Sequence, residues 1–259
     1  MNSIRRNAAV ISAFSLMMAS QPLLADDGWD HNLAVYLWGA DIAGKTSTGQ
    51  DFDVDFSELL DNLEMAGMAA YQGQSGKWSV ITDMIYLDVS ADERVDLLPP
   101  VGGGNIQGGV DANLDMQSWV IQAGVGYQLA DDGEGTVIDF VFGARYLDLS
   151  SDLTLNFDVS IPEQPPTVNS DLGDSVIDAV VGFKGRIRTG ARWFMPWGAN
   201  VGTGESDLTW QAHVGVGYQA TDTFNVIASY RYLRWEFDDD SRLADLDISG
   251  PMLGAVWRF

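Results

Sequence analysis

The chain lacks several residue types, and each shortage excludes a class of protein. No cysteine occurs among its 259 residues, which excludes disulfides and thiol chemistry. Only two histidines are present, and no serine-hydrolase, zinc-protease or P-loop motif occurs. No run of 18 apolar residues follows the N-terminal segment, so no membrane-spanning helix is predicted. We therefore expect a protein that is not an enzyme and that needs no cofactor.

Basic residues are scarce as well. The chain has 14 Lys and Arg against 37 Asp and Glu, a formal net charge of −23. Arg5 and Arg6 belong to the N-terminal segment, and without them 12 − 37 gives −25. Nucleic acids and anionic lipid surfaces are poor partners for such a chain, because like charges repel.

The first residues have the pattern of a secretory signal. Arg5 and Arg6 precede an apolar stretch from Ala8 to Met18, and small residues lead to Ala25. The apolar stretch is too short to span a membrane as a helix. We predict a signal peptide over residues 1–25, cleaved after Ala25, and one exported domain over residues 26–259.

Aromatic residues recur in pairs that are eight positions apart. Because the spacing is even, both members of a pair lie on one face of a β-strand. Eight residues of a strand tilted by about 40° rise roughly 20 Å, close to the height of the apolar band on an outer-membrane barrel. Aromatic girdles mark both edges of that band. The predicted girdle residues are Trp78, Tyr86, Trp119, Tyr127, Tyr146, Trp210, Tyr218, Phe224 and Tyr232.

Ten segments alternate between apolar and polar residues, and short and long connections alternate between them. Short periplasmic turns and long external loops are typical of membrane barrels. The sequence predicts an all-β fold, a closed antiparallel up-and-down transmembrane barrel. Ten strands fit best, although eight or twelve are possible because residues 43–63 also contain strand-like stretches. A soluble β-sandwich would alternate too, but it would not have paired girdles. The segments are 30–42, 64–74, 77–89, 114–129, 136–149, 175–189, 192–203, 207–220, 224–237 and 246–259.

The later strands have a clear outward apolar face and an inward polar face. Charged residues on the inward face should form ion pairs, because an unpaired charge in a narrow interior is unfavourable. Two roles are open for them, structural salt bridges or an ion pathway. The predicted lumen charges are Asp83, Asp139, Arg145, Asp178, Lys184, Arg186 and Arg231.

Most acidic residues fall in the predicted external loops, and the densest cluster is Glu236, Asp238, Asp239 and Asp240. Carboxylates are the ligands that Ca²⁺ and Mg²⁺ prefer. A bound ion could link these loops to one another or to phosphates of lipopolysaccharide, which we expect as a partner along with the membrane lipids. Simple surface acidity is the alternative, since no segment has the spacing of an EF-hand loop.

The first long connection has a helical pattern. Phe56, Leu59, Leu60 and Leu63 have the spacing of one helix face. Asp55 and Glu58 have the spacing of a capping box, with Asp in the cap position. The sequence predicts a short amphipathic helix at the barrel rim. This helix could plug the mouth, rest on the lipid boundary or simply connect two strands.

The chain ends in Trp257-Arg258-Phe259. Together with the signal, the girdles and the hairpin rhythm, this ending resembles the small outer-membrane barrels, including the OmpA-like and OmpW-like proteins. The stretch from Phe56 to Leu63, with Trp78 to Asp88 after it, is similar to a set of poorly characterised proteobacterial barrels. The resemblance implies a location in the outer membrane of a Gram-negative bacterium. It also implies that the barrel-assembly machinery recognises Phe259. It transfers no catalytic residue.

We therefore expect an outer-membrane barrel with a strongly acidic external surface, serving envelope structure or surface interaction. The alternative is a narrow, porin-like channel for small solutes that prefers cations because of the charge at its mouth. An outer-membrane enzyme is the third possibility.

Overall fold

A computed structural model describes residues 28–96, 108–159, 168–171, 174–238 and 241–259. The predicted signal peptide, residues 1–25, lies outside this part. The strands are β1 Asp30–Trp38, β2 Asp41–Thr46, β3 Asp51–Val54, β4 Leu63–Ser75, β5 Trp78–Asp96, β6 Gly108–Asp131, β7 Val137–Val159, β8 Val168–Asp171, β9 Asp174–Arg188, β10 Trp193–Gly204, β11 Leu208–Gln219, β12 Phe224–Glu236 and β13 Leu243–Arg258. One short helix, α1, spans Phe56–Asp61.

Ten strands form a closed antiparallel wall in the order β1-β4-β5-β6-β7-β9-β10-β11-β12-β13. Closure comes from the pairing of β1 with β13, in which Asn32 lies opposite Arg258 and Trp38 opposite Met252. The predicted barrel of ten strands is confirmed. Closure removes free strand edges, which is how a β-structure satisfies its backbone in lipid. In the described part of the chain, no helix has the length and apolar character needed to cross a membrane.

Tight turns join the strands at the end that carries both termini. Between β4 and β5, Ser75 lies opposite Trp78, so Gly76 and Lys77 alone form the turn. Gly76 has a φ of 57°, a left-handed conformation that favours glycine. Between β6 and β7, hydrogen bonds from Thr136, followed by those from Glu134 and Gly135, lower the pKa of Asp132. Short turns mark this end as periplasmic.

At the other end, β5, β6 and β7 are longer than the sequence predicts. The sequence predicts long connections over residues 90–113 and 150–174. In the structure, β5 extends to Asp96, β6 begins at Gly108 and β7 extends to Val159. The register explains the difference, because the backbone pairing continues to this end, with Asp96 opposite Gly109 and Gly108 opposite Val159.

The first strand is divided in two. Both β1 and β2 pair with β13, and the break between them falls at Gly39 and Ala40. A hairpin then leads from β2 to β3, with its tip at residues 47–50. The helix α1 follows β3 and leads into β4.

The predicted capping box is wrong, although the predicted helix exists. Asp55 occupies the N-cap position, but its side chain makes no capping hydrogen bond. Instead, Asp41 Oδ1 accepts a hydrogen bond of 2.9 Å from the Phe56 backbone N–H. The Phe56 ring also packs 3.3 Å from the position that a Cβ on Gly39 would occupy. The start of α1 therefore rests on the outer face of the wall at the break in the first strand, while Leu60 is half exposed.

Candidate functional site in the barrel lumen

Aromatic side chains form two belts on the outer wall. Near the periplasmic end, Trp78 contacts Tyr127 with ring centroids 4.8 Å apart. Eight residues further along these strands, Tyr86 contacts Trp119 at 4.5 Å. The other contacts join Trp210 to Tyr232 in the outer belt, and Trp193 to Tyr218 and Phe224 to Trp257 in the periplasmic belt. Sequence spacing missed Trp193 and Trp257, because neither has an aromatic partner eight residues away on its own strand.

Inside the outer half of the barrel, large apolar side chains fill the lumen. We call this group the luminal seal, and its central members are Trp38, Leu147, Leu233, Trp235 and Phe237. Leu233 and Trp235 are 0% exposed, and Leu147 is 1% exposed. Leu246 and Ile248 of β13 complete the packing. The polar interior that the sequence predicts is therefore wrong for the outer half. One sequence feature could have indicated this apolar outer half. Leu233 and Trp235 lie on the same face of β12 as Arg231, which the sequence predicts to point inward.

Directly beneath the seal lies a buried polar layer centred on Arg145, which is 0% exposed. Its guanidinium donates to Gln122 Oε1 at 2.7 Å, to Thr209 Oγ1 at 2.7 Å and to Asn200. The same group lies 5.8 Å from the centre of the Trp235 ring. Asp178, expected as an ion-pair partner, instead accepts from the Ser206 backbone N–H at 2.9 Å. Arg145 is thus held by neutral acceptors.

A second cluster spans the barrel between β1, β5 and β12. Arg231 Nη1 donates to Asp83 Oδ2 at 2.7 Å, and Tyr36 Oη donates to Asp83 Oδ1 at 2.5 Å. Arg231 Nη2 donates to Gln211 at 2.7 Å, and the guanidinium lies 5.0 Å from the Trp38 ring centre. Among the predicted lumen charges whose side chains the structure describes, Arg231 and Asp83 form the only ion pair.

Below these layers the lumen is open. A cavity of about 340 Å³ is lined by polar and charged residues, among them Gln72, Lys184, His213 and the Asp83–Arg231 pair, together with small and apolar residues. A wider vestibule of about 580 Å³ continues toward the periplasmic end and shares Gln72, Lys184 and His213. Lys184 Nζ donates to Gln72 Oε1 at 2.7 Å. Arg186 and Asp139 line the vestibule. In the described barrel, apolar side chains thus pack the outer half of the lumen, and the cavity and the vestibule occupy the periplasmic half.

At the outer rim, Arg234 lies within 4 Å of three carboxylates. Its guanidinium lies 3.1 Å from Glu236, 3.8 Å from Asp245 and 2.5 Å from Asp247. In the predicted cation cluster, Glu236 is therefore engaged by Arg234, and Asp238 accepts from the Ser241 hydroxyl at 3.0 Å. Asp239 and Asp240 lie outside the described residues. Within the described part, no group of three or more His, Asp or Glu is placed to hold a metal ion.

The two histidines occupy different levels of the barrel. His31 lies at the periplasmic end, where its ring stacks on Phe259 with centroids 5.5 Å apart. Backbone hydrogen bonds of 3.0 and 3.1 Å join the same two residues and tie the C-terminus to β1. His213 lies at the junction of cavity and vestibule. Neither lies at the external rim.

No family model matches the chain. No curated protein matches it either. Solved structures of outer-membrane barrels do match. The outer membrane protease OmpT from Escherichia coli has a TM-score of 0.52 at 9% identity, over 90% of this chain and 97% of that chain. The translocator domain of autotransporter NalP from Neisseria meningitidis has a TM-score of 0.43 at 14% identity, over 97% and 96%. The attachment invasion locus protein Ail of Yersinia pestis has a TM-score of 0.37 at 18% identity, over 90% and 99%.

At these identities the likeness concerns the fold alone. The likeness to the OmpT barrel, with its TM-score of 0.52, agrees with the closed barrel wall. The chain is a small bacterial outer-membrane β-barrel protein, and its location is the outer membrane.

Proposed function

We propose that this barrel does not conduct solutes and is not an enzyme, and that it presents an acidic sheet at the cell surface. The observation that carries the first part is the luminal seal. Leu147, Leu233 and Trp235 leave at most 1% of their surfaces exposed, which supports an outer lumen that is packed and dry in the described part of the barrel. Hydrated ions do not pass a packed apolar layer, because stripping their water is too unfavourable.

The surface role is supported by the extension of β5, β6 and β7. These strands run beyond the outer belt by roughly 30 Å, estimated from the rise per residue and the tilt of a barrel strand. Asp115 of β6 lies opposite Asp152 of β7, which lies opposite Asp171 of β8. Directly opposed like charges destabilise a sheet. Such a row is understandable where the surface meets a cationic partner. The extended parts hold Arg94 and nine acidic residues: Asp88, Asp92, Glu93, Asp96, Asp111, Asp115, Asp148, Asp152 and Asp158.

The alternative is the narrow channel. The cavity and vestibule favour it, because they open about half of the lumen to the periplasm. For conduction, however, the seal would have to move as a unit, because its members pack against one another from the four strands β1, β7, β12 and β13. A preference for cations would also conflict with the lysine and arginines that line the open half.

The positions of the two histidines, the possible catalytic bases, argue against an enzyme. His213 is enclosed below the seal and His31 is engaged by Tyr71 at 2.8 Å. A hydrolase needs a base that is within hydrogen-bond reach of a nucleophile and of the substrate. The partner that the structure shows for His31 is a tyrosine hydroxyl, and that residue lies at the periplasmic end and away from the external surface.

Planar-bilayer recording of the refolded protein tests the proposal. We expect insertion without discrete openings, with insertion verified by the heat-modifiable migration of a folded barrel in gels. Reproducible unitary openings from wild type would refute the non-conducting role. A matched variant, Leu233→Ser, places a hydroxyl in the seal, while Val214→Ser makes a similar change on the lipid face. Leakage from the first and not from the second would identify the seal as the barrier.

A further inference from the structure

Basic residues are concentrated at one place in this acidic protein. Once Arg5 and Arg6 are set aside, 12 basic residues remain, and seven of them lie in the lumen or at its periplasmic mouth. The extended sheet at the other end is dominated by acidic residues. A protein that needed charge only for solubility would not sort its charges this way. The seven are Arg145, Lys184, Arg186, Arg188, Arg192, Arg231 and Arg258.

We propose that the luminal cavity binds a small organic carboxylate with a compact apolar body, which enters from the periplasm through the vestibule. This inference goes beyond the surface role and does not depend on it. The cavity of about 340 Å³ has room for such a molecule and is continuous with the vestibule. The seal closes its outer side, so the ligand would be held and would not pass through.

Lys184 supplies the first anchoring cation. Its Nζ lies on the boundary of cavity and vestibule and donates one hydrogen bond, to Gln72 Oε1. An ammonium group has three donors, so capacity remains for a ligand. Asp139 lies opposite Lys184 in the strand register, yet no carboxylate of the described residues lies within 4 Å of the ammonium. A cation held mainly by a neutral amide leaves its charge available to an anion.

Arg231 supplies the second observation. It is 3% exposed and lines the cavity, and its buried Nε–H has no hydrogen-bond partner among the described residues. A buried charged donor without a partner is rare and calls for an explanation. The two Nη groups are already engaged by Asp83 and Gln211. Because the Nε atom exposes no surface to the cavity, Arg231 would act on a bound carboxylate through its positive charge, while Lys184 supplies the charge-assisted hydrogen bond.

The rest of the wall defines the other half of the ligand. Ile81, Val141, Ile227 and Met252 line the cavity from four different strands. Inorganic phosphate or chloride would leave these apolar surfaces without a partner. A molecule with one carboxylate and a small hydrocarbon body matches both parts of the wall. Among the described charged groups that line the cavity, Asp83 is the only carboxylate, and Arg231 neutralises it.

Ligand titration of the protein in lipid nanodiscs tests this site. The probes are cyclohexanecarboxylate, cyclohexylmethanol and cyclohexylmethylamine, which share one ring and differ in charge. Saturation-transfer NMR measures binding, and empty nanodiscs correct for partition into lipid. We expect the carboxylate to bind about ten-fold more tightly than the alcohol, as a charge-assisted hydrogen bond predicts. We expect no binding of the amine beyond the empty-disc level.

Two variants locate the interaction. Lys184→Met keeps the length of the side chain and removes its charge, and it should weaken carboxylate binding by about ten-fold while leaving the alcohol unchanged. Arg188→Gln is the matched control, because Arg188 lies at the mouth and donates to the Ala191 carbonyl at 2.6 Å. Equal affinity of wild type for all three probes would overturn the proposal. So would unchanged carboxylate binding by Lys184→Met. If that variant does not fold, the order of the three probes on wild type decides alone.

Discussion

Replacing Trp235 with alanine tests whether the luminal seal stabilises the barrel. Trp235 is 0% exposed and packs against the other members of the seal. Truncating a buried tryptophan to alanine destabilises proteins by about 3–5 kcal/mol, because packing contacts are lost and a cavity remains. The ring also lies 5.8 Å from the guanidinium of Arg145, and such an interaction adds up to about 2 kcal/mol when desolvated.

One contribution of Trp235 destabilises the wild-type protein. Its Nε1–H is buried without a hydrogen-bond partner among the described residues, and an unsatisfied donor destabilises the folded state by about 1–3 kcal/mol. Trp235→Ala removes that donor together with the ring, so its net loss should be near 3–5 kcal/mol. Trp235→Phe removes the donor but keeps most of the ring. We expect the phenylalanine variant to lie within about 1–2 kcal/mol of wild type.

Urea titration of the barrel in lipid vesicles, followed by gel migration and fluorescence, gives both free energies of unfolding by linear extrapolation. The difference between the two variants is the quantity of interest, because it cancels effects on expression and insertion. A difference below about 1 kcal/mol would refute the reasoning, since the outer lumen would then be loosely packed or hydrated.

Three shorter predictions concern the rest of the barrel. Deleting Phe259 should reduce the amount of folded barrel in the outer membrane, and normal levels of heat-modifiable protein would contradict a role in assembly. Val214→Arg should destabilise by about 2–4 kcal/mol, far more than His213→Gln, because Val214 is 52% exposed on the lipid face. Equal effects in urea would contradict this facing. Millimolar Ca²⁺ or Mg²⁺ should protect the last external loop from proteolysis better than NaCl of equal ionic strength. Replacing Asp238, Asp239 and Asp240 with Asn should abolish this difference between divalent ions and NaCl. Equal protection by NaCl in the wild type would exclude an ion site.

The sequence predicted the wall of the barrel well because the wall follows local rules. Alternation with a period of two sets the face of each side chain, and the eight-residue aromatic spacing marks the lipid band. Trp78 and Tyr127, for example, are both predicted girdle residues and lie in contact. These features need only the residues of one strand and the fact that neighbouring strands are antiparallel.

The interior could not be predicted in the same way, because it depends on which strands face one another across the lumen. Trp235 and Leu233 alternate with Arg234 and Tyr232, and nothing local tells whether their face meets water or other apolar groups. The same is true of Arg145, which meets Thr209 from a strand on another side of the barrel. Ion pairs predicted from inward charges alone gave the Arg231–Asp83 contact and missed the neutral partners of Arg145.

The helix α1 shows another reason why sequence-based prediction fails, which is competition between local and distant hydrogen-bond acceptors. The spacing of Asp55 and Glu58 predicts a local capping box, yet the Phe56 N–H donates to Asp41 at the start of β2. This contact lies at a seam in the wall. Pairing between β1 and β4 extends from Asp30–Gln74 to Val35–Ala69, and β4 continues above that level to Leu63 with only β5 as its described partner.

An unpaired strand edge exposes backbone groups, which is unfavourable next to lipid. The helix rests beside this edge, anchored by Asp41 and by the ring of Phe56 on Gly39. Removing the anchor should therefore loosen the helix and the upper part of β4 without opening the barrel. Asp41→Ala should weaken the helix by about 1 kcal/mol, the usual effect of losing an N-terminal acceptor.

Hydrogen exchange measured by mass spectrometry over residues 56–68 checks this, with gel migration as the measure of the intact barrel. We expect about five-fold faster exchange in Asp41→Ala, which is that free-energy change expressed as a ratio. Glu58→Ala is the control that separates the two explanations. A capping box needs the polar side chain of Glu58, whereas the hydrogen bond to Asp41 does not. Faster exchange in Glu58→Ala, with no change in Asp41→Ala, would support the local capping box and contradict the anchor at Asp41.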